Sequence, residues 1–66
     1  MNIGEIIKNL RIEHKMTQTT LASLLFMSQD TISLWERNKS LPDVKSVISM
    51  SKIFGVTTDY ILGVEK

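Results

Sequence analysis

Apolar residues recur every three or four positions along most of the 66-residue chain, and no stretch alternates strictly between apolar and polar residues. A spacing of three or four places side chains on one face of an α-helix, whereas strict alternation is typical of a half-buried strand. The pattern therefore predicts an all-α fold. Breaks between the apolar stripes divide the chain into five helices, which we expect to form one domain over residues 1–66.

The first predicted helix begins after Asn2, whose side chain can cap the free amide groups of the first turn, and Glu5 can complete a capping box. This helix ends near His14. We expect one of its faces to be buried, and the apolar residues on that face are Ile3, Ile6, Ile7 and Leu10.

Two shorter helices follow at residues 18–25 and 29–37, and a tight turn separates them. The hydroxyl of Thr17 can cap the second helix, and Ser28 opens the third. The side chains predicted to point inward are Leu21, Ala22, Leu24 and Leu25 in the second helix and Ile32 and Trp35 in the third. Short polar side chains remain on the outer face of the third helix, from which they can reach the base edges of DNA.

The C-terminal part of the chain predicts two further helices after a loop at residues 39–42. Asp43 caps the fourth helix, and Gly55 ends it with Val56 packing back against it. Thr57 begins a short fifth helix, which Gly63 ends. The residues expected to face the core are Val44, Val47, Ile48, Ser51 and Phe54 in the fourth helix, and the fifth helix contains Tyr60, Ile61 and Leu62.

Composition limits the chain to a small globular domain with 42% hydrophobic and 23% charged residues. No cysteine is present, so the core must be stabilised by helix packing, and a reducing cytoplasm fits this composition. The N-terminus lacks a leader pattern, and the longest apolar run, residues 24–27, is too short to span a bilayer. These features predict a cytoplasmic protein without membrane contact.

Residues suited to catalysis or cofactor binding are sparse. His14 is the only histidine, so neither a metal site nor a nucleophile with an oriented base can be assembled around it. We expect His14 to be a solvated cation near the end of the first helix. The three glycines are too far apart to form a phosphate-binding loop. The sequence therefore predicts no enzyme, no metal and no cofactor.

Short sequence fragments follow one another in a specific order along nearly the whole chain. They are Ile3-Gly4, Leu10-Arg11, Thr17-Gln18, Leu21-Ala22, Thr31-Ile32-Ser33, Trp35-Glu36-Arg37, Pro42, Gly55-Val56, and Asp59 with Ile61, Leu62 and Gly63. In this order and spacing they resemble the lambda-repressor-like helix-turn-helix domains, also called the Cro/C1-type or XRE family. The resemblance implies a compact five-helix fold whose third helix enters the major groove of double-stranded DNA, usually as a homodimer on a palindromic operator.

The resemblance also implies roles for individual residues. Gln18 would lie against the sugar-phosphate backbone, and Gln29 would lead the third helix toward a base, where its amide can pair with adenine N6 and N7. Arg37 and Lys39 would contact phosphates at the end of that helix. Thr31 and Ser33 would contact bases or phosphate, and Thr17 and Ser28 complete the expected DNA-binding set.

Two residues of the third helix allow alternatives. Asp30 would accept a hydrogen bond from cytosine, or would only be stabilised by the positive end of the helix dipole. Leu34 would touch a thymine methyl group, or would only cover the flank of the helix. By the same resemblance, Arg11 and Glu36 would form a partly buried ion pair that joins the first and third helices, and this role is structural.

Two positions depart from the family pattern. Phe26 stands in the turn between the second and third helices, where the family usually has glycine, which predicts a strained or reshaped turn if φ is positive there. Asn38 stands after the third helix, where glycine is also common, and asparagine tolerates that conformation.

The predicted function is that of a bacterial or phage-type transcriptional regulator, which represses by occluding a promoter. Residues 17–37 carry Arg37 against Asp30 and Glu36, a net charge of −1, so phosphate contacts should come mainly from hydroxyls, amides and backbone N–H groups. This balance leaves alternatives open: a protein-interaction module such as an antitoxin-like partner, the detached DNA-binding domain of a longer regulator, or a structural domain of an enzyme. We expect the dimer surface around the fifth helix and Val64.

Overall fold

Five α-helices form the fold in a computed structural model that describes residues 2–64. Residues 2–64 contain no strand, which confirms the predicted all-α class. None of the helices in this part of the chain is long and apolar enough to cross a membrane. The helices are α1 (Ile3–Glu13), α2 (Gln18–Leu24), α3 (Gln29–Glu36), α4 (Val44–Phe54) and α5 (Thr58–Leu62).

Each helix begins after a residue whose side chain accepts a hydrogen bond from the backbone N–H three positions later. Such a cap satisfies one of the amides that the first turn of a helix leaves without an internal partner. All five caps were predicted from the sequence, and the helix boundaries agree with the predicted ones to within about a residue. The capping residues are Asn2, Thr17, Ser28, Asp43 and Thr57.

One or two positions after the last residue of each helix lies a residue with φ between 57° and 75°. This conformation turns the chain so that the next N–H reaches the carbonyl five residues earlier, at 2.9–3.0 Å, as in a Schellman motif. Within residues 2–64, two of these five left-handed residues are glycine. The others are Lys15, Phe26 and Asn38. The sequence indicated Asn38, left the sign of φ at Phe26 open, and gave no indication for Lys15.

Each helix contributes one fully buried side chain to the centre of the domain. These side chains are Ile7, Leu21, Ile32, Met50 and Ile61. Seven further apolar residues surround them, so the core is continuous through all five helices. The surrounding residues are Ile3, Leu10, Ala22, Leu25, Trp35, Val47 and Phe54.

Three residues predicted to point inward are exposed instead. Leu24, Val44 and Ile48 have exposed fractions of 47%, 76% and 45%. At 100° per residue, each lies roughly 100° or more from the centre of the face that its helix buries. That face of α4 contains Met50 and Ser46, neither of which was predicted, and Ser46 is accommodated because its hydroxyl donates to Asp43 Oδ1 at 2.6 Å.

The single histidine faces solvent and also packs against the core. His14 is exposed, but its ring lies against the ring of Phe54 with centroids 5.1 Å apart. Its Nδ1 is also within hydrogen-bonding distance of the Leu10 carbonyl oxygen, at 2.9 Å. The residue therefore covers one edge of the core at the end of α1.

The start of α1 is joined to the end of α3 by backbone and side-chain hydrogen bonds. Gly4 N–H donates to Asn38 Oδ1 at 3.2 Å, and Asn38 Nδ2 donates to Asn2 Oδ1 at 3.0 Å. A Cβ at position 4 would overlap the Trp35 carbonyl oxygen. Glycine is therefore required for this close approach, which fixes the position of α3 in the domain.

Candidate nucleic-acid interface

Helices α2 and α3 pack through their apolar faces and are joined by residues 25–28, which contain the left-handed Phe26 at φ 58°. The Phe26 side chain is 96% exposed. Met27, the next residue, packs against the core and donates its backbone N–H to the Ala22 carbonyl. The turn is therefore closed in the same way as one with glycine, while a non-glycine residue adopts the costly φ.

The N-termini of the two helices lie side by side and present one glutamine each. Gln29 Nε2 donates to Gln18 Oε1 at 3.0 Å. Gln18 is half-buried beneath Gln29, whereas Gln29 is exposed at the first position of α3. The structure therefore brings together the two residues predicted for the backbone contact and for the base contact.

Arg11 and Glu36 form a bidentate ion pair between α1 and α3. Arg11 Nε donates to Glu36 Oε2 at 2.7 Å and Nη2 donates to Glu36 Oε1 at 3.1 Å. The side chains are only 12% and 4% exposed. Arg11 Nη1 also donates to the Met16 carbonyl oxygen at 2.8 Å. A pair with this burial and number of hydrogen bonds meets the geometric requirement for compensating its desolvation.

Glu36 also accepts a hydrogen bond from Gln18, whose Nε2 lies 3.0 Å from Glu36 Oε1. The sequence gives no indication of this contact, because Gln18 and Glu36 lie on different helices, 18 positions apart. A continuous chain of side-chain hydrogen bonds therefore runs from Arg11 in α1 through Glu36 and Gln18 to Gln29. We name these four residues the amide relay.

The predicted hydroxyl contacts already have partners within the domain. Thr17 and Ser28 cap α2 and α3, and the Ser28 Oγ lies 3.1 Å from Thr31 Oγ1. Arg37 folds back along α3, and its Nε donates to Ser33 Oγ at 3.2 Å. These bonds are exposed, so exchanging them for bonds to a ligand requires little desolvation.

The three remaining predicted contact residues are exposed around α3. Asp30 lies in its first turn, where the helix dipole favours a carboxylate. Leu34 is 38% exposed and lies outside the core, as expected from the helical projection. Lys39 follows the left-handed Asn38, and its backbone N–H closes the end of α3 on the Leu34 carbonyl.

The local charge at this surface is neutral. Residues 17–37 carry −1 in sequence, but the buried Glu36 is paired with Arg11 from outside that segment. The charges that remain exposed in the segment are Asp30 and Arg37, which cancel. Within residues 2–64, no group of three or more His, Cys, Asp or Glu side chains is placed to hold a metal ion.

A protein-family model described as helix-turn-helix matches residues 7–61 of the chain. The match covers most of the domain, so the chain belongs to the helix-turn-helix family of the Cro/C1 type, as its resemblance implied.

Individual relatives and a solved structure agree with this membership. The whole chain is 38% identical to part of the HTH-type transcriptional activator BcrR of Enterococcus faecalis, and 96% of it is 32% identical to part of the HTH-type transcriptional regulator ImmR of Bacillus subtilis. The chain spans 32% and 50% of the length of these proteins. The structure of the P22 c2 repressor protein in complex with synthetic operator 9T matches with a TM-score of 0.89 at 29% identity over 98% of both chains.

Proposed function

We propose that this domain regulates transcription by binding a specific duplex DNA sequence, with the N-terminal half of α3 in the major groove. The observation that carries the proposal is the position of the Gln29 amide. It is exposed at the first residue of α3 and is held there by Gln18. The family match and the likeness to an operator-bound repressor support the same conclusion.

The chemistry of Gln29 suits adenine. Adenine presents an N7 acceptor and an N6 donor in the major groove, and a glutamine amide offers the complementary N–H and oxygen. A bidentate pair of this kind contributes about 1–3 kcal/mol of discrimination against other bases. Thr31, Ser33 and Leu34 lie on following positions of α3 and are available for the neighbouring bases, with Leu34 against a thymine methyl group.

Phosphate contacts on either side of the groove would hold α3 in register. Gln18 and the capped N-terminus of α2 offer side-chain and backbone N–H donors, and Arg37 and Lys39 offer charge at the other end of α3. Only two cations per protomer take part, so log K should fall with log salt with a slope of about −2 per protomer. The affinity for DNA would therefore depend more on the placement of these donors than on the net charge of the domain.

A second copy of the chain is the proposed partner on DNA. The exposed Val44 and Ile48 and the partly buried Leu62 line a groove of about 290 Å³ between α4 and α5. Val64, two residues after Leu62, is 52% exposed. A single α3 contacts few base pairs, so pairing of two copies through this apolar surface would double the contacts on a palindromic operator. Binding of this kind would repress transcription by occluding a promoter, and a protein that acts on DNA in this way would reside in the cytoplasm.

Selection of bound sequences from a random duplex pool tests the proposal. We expect an enriched motif with an adenine that Gln29→Ala no longer selects, and two inverted half-sites about 10 base pairs apart, centre to centre. Asn9→Ala, which changes an exposed residue on α1, is the matched control and should select the wild-type motif. A pool without enrichment would contradict DNA recognition, and an unchanged motif with Gln29→Ala would contradict the role of Gln29.

A further inference from the structure

Glu36 occupies an unusual position for a residue whose role is only structural. Its carboxylate is nearly buried and accepts from two N–H groups of Arg11, yet it also reaches the side chain beneath Gln29. We propose that Glu36 is a positioning residue for base recognition: it fixes the orientation of the Gln18 and Gln29 amides and thereby makes Gln29 select adenine over guanine. This inference rests on the proposed function.

The carboxylate of Glu36 determines how the Gln18 amide is oriented. An ionised carboxylate only accepts hydrogen bonds, whereas a glutamine amide has a donor end and an acceptor end. Gln18 must therefore turn its NH₂ group toward Glu36, as the 3.0 Å Nε2 to Oε1 distance shows. This orientation points the Gln18 Oε1 away from Glu36.

The orientation of the Gln18 amide in turn determines the orientation of Gln29 at the surface. The Gln18 Oε1 can only accept, so the hydrogen bond between the two glutamines requires Gln29 to donate. Gln29 Nε2 does so at 3.0 Å. One N–H of Gln29 is then used inside the domain, and its second N–H and its Oε1 are left for DNA.

The atoms that Gln29 leaves free are complementary to adenine. Adenine offers one acceptor and one donor in the major groove, which complements the remaining N–H and Oε1 of Gln29. Guanine offers two acceptors, N7 and O6, so the fixed Oε1 would face an acceptor without a proton between them. A freely rotating amide would lose less affinity for guanine, because it could turn its NH₂ group outward.

Arg11 keeps the carboxylate in a single orientation. Its two N–H groups bind both Glu36 oxygens, and its third contact, to the Met16 carbonyl, fixes the guanidinium in turn. The relay is thus anchored in the backbone at the end of α1 and extends to the surface of α3. The buried carboxylate of Glu36 therefore determines which way each glutamine amide in the relay points.

The variant Glu36→Gln tests this inference because it keeps the size and shape of the side chain. The introduced amide can face Gln18 with either end, and either orientation leaves one Arg11 donor without an acceptor. Neither orientation is therefore favoured, and the Gln18 and Gln29 amides are no longer held with one end toward Glu36 and the other toward the surface. A residue that only stabilised the fold would lower the melting temperature without changing the ratio of affinities for adenine and guanine sites.

The experiment compares the full chain and Glu36→Gln on two operators that differ only in adenine or guanine at the base pair that Gln29 contacts. We expect wild type to prefer adenine by about tenfold or more, and Glu36→Gln to reduce this preference to within about threefold while its affinity for random duplex is unchanged. An unchanged preference in folded Glu36→Gln would overturn the inference and leave the proposed function intact. Wild type without any selected operator would overturn both.

A second measurement does not require the variant to fold. In the free wild-type protein, the side-chain amide protons of Gln18 should exchange slowly and show nuclear Overhauser contacts to the Glu36 side chain. Gln29 should show the same contacts to Gln18. Rapidly exchanging Gln18 amide protons without these contacts would overturn the inference.

Discussion

Replacing Gly4 by alanine tests how closely α1 and α3 approach each other. Gly4 is buried in the first turn of α1. An added Cβ would overlap the Trp35 carbonyl oxygen and lie 2.8 Å from Asn38 Oδ1. The Asn38 side chain has some freedom to move, but the carbonyl belongs to the backbone of α3, so the two helices must separate.

The magnitude follows from two opposed effects. Alanine is favoured over glycine in a helix by at most about 1 kcal/mol. Overpacking costs about 1–3 kcal/mol, and losing the hydrogen bond from Gly4 N–H to Asn38 costs about 1 kcal/mol more. We therefore expect a net loss of about 2 kcal/mol, which lowers the melting temperature of a domain of this size by about 8–16 °C.

Thermal and urea unfolding followed by circular dichroism would measure this loss. The matched control is Asn9→Ala, an exposed position on the same helix where alanine gains helix propensity without an overlap. This control should be as stable as wild type or slightly more stable. If Gly4→Ala were as stable as the control, the helices would tolerate separation and the reasoning would be refuted.

Three further predictions concern the turn, the acid range and the buried ion pair. Phe26→Gly should raise the free energy of unfolding by about 1 kcal/mol in urea unfolding, because the exposed ring loses no packing, and a Phe26→Ala variant without this gain is the control. The hydrogen bond from the Ser46 hydroxyl lowers the pKa of Asp43 in the folded state. The unfolded chain therefore binds a proton at Asp43 more tightly than the folded chain does. The resulting stabilisation is fully present above pH 3.8 and is lost as the pH falls through the folded pKa. Asp43→Asn should therefore show a smaller decrease in melting temperature on acidification than wild type, and an equal decrease would contradict this assignment. Glu36→Ala should cost about 3–5 kcal/mol because it leaves the charge of Arg11 buried without a counter-charge. In a double-mutant cycle, the loss with Arg11→Ala added should be clearly smaller than the sum of the single losses.

The fold was largely predictable because its helix boundaries depend on local chemistry. A hydroxyl, amide or carboxylate at a cap acts on amides three residues away, and a left-handed residue acts on a carbonyl within the same turn. Asn2, Asp43 and Gly55 therefore marked helix ends without knowledge of the rest of the domain. Lys15 was missed because lysine has no side-chain property that indicates a left-handed conformation.

Burial was less predictable because it depends on neighbouring helices. An apolar residue three or four positions from a buried one is itself buried only if a neighbouring helix covers that side of its helix. Leu24 and Val44 satisfy the spacing and are nevertheless exposed, while Met50, a less obvious choice, is fully buried. Helices this short provide too few residues for the pattern to define the centre of the buried face.

The candidate interface was predicted residue by residue, but its connections were not. Gln18 and Gln29 were each assigned a role in contacting DNA, and Arg11 and Glu36 were assigned a role in stability. Nothing in their spacing indicates that one chain of hydrogen bonds joins them, because each link crosses between helices. Only the packing of α1, α2 and α3 against one another shows that the two roles share atoms.

This sharing gives a physical reason for an ion pair in a domain so small. A buried ion pair contributes little net stability, and well-packed apolar residues of the same volume are often equally stable or better. An apolar pair at positions 11 and 36 would satisfy the core but would offer Gln18 no acceptor. The two glutamine amides could then turn either way. The surface of α3 would keep its shape, but its hydrogen-bond donor and acceptor would no longer have fixed positions. Under the proposed positioning role, Arg11 and Glu36 therefore serve recognition instead of stability, because a buried carboxylate would determine which end of the exposed Gln29 amide faces DNA.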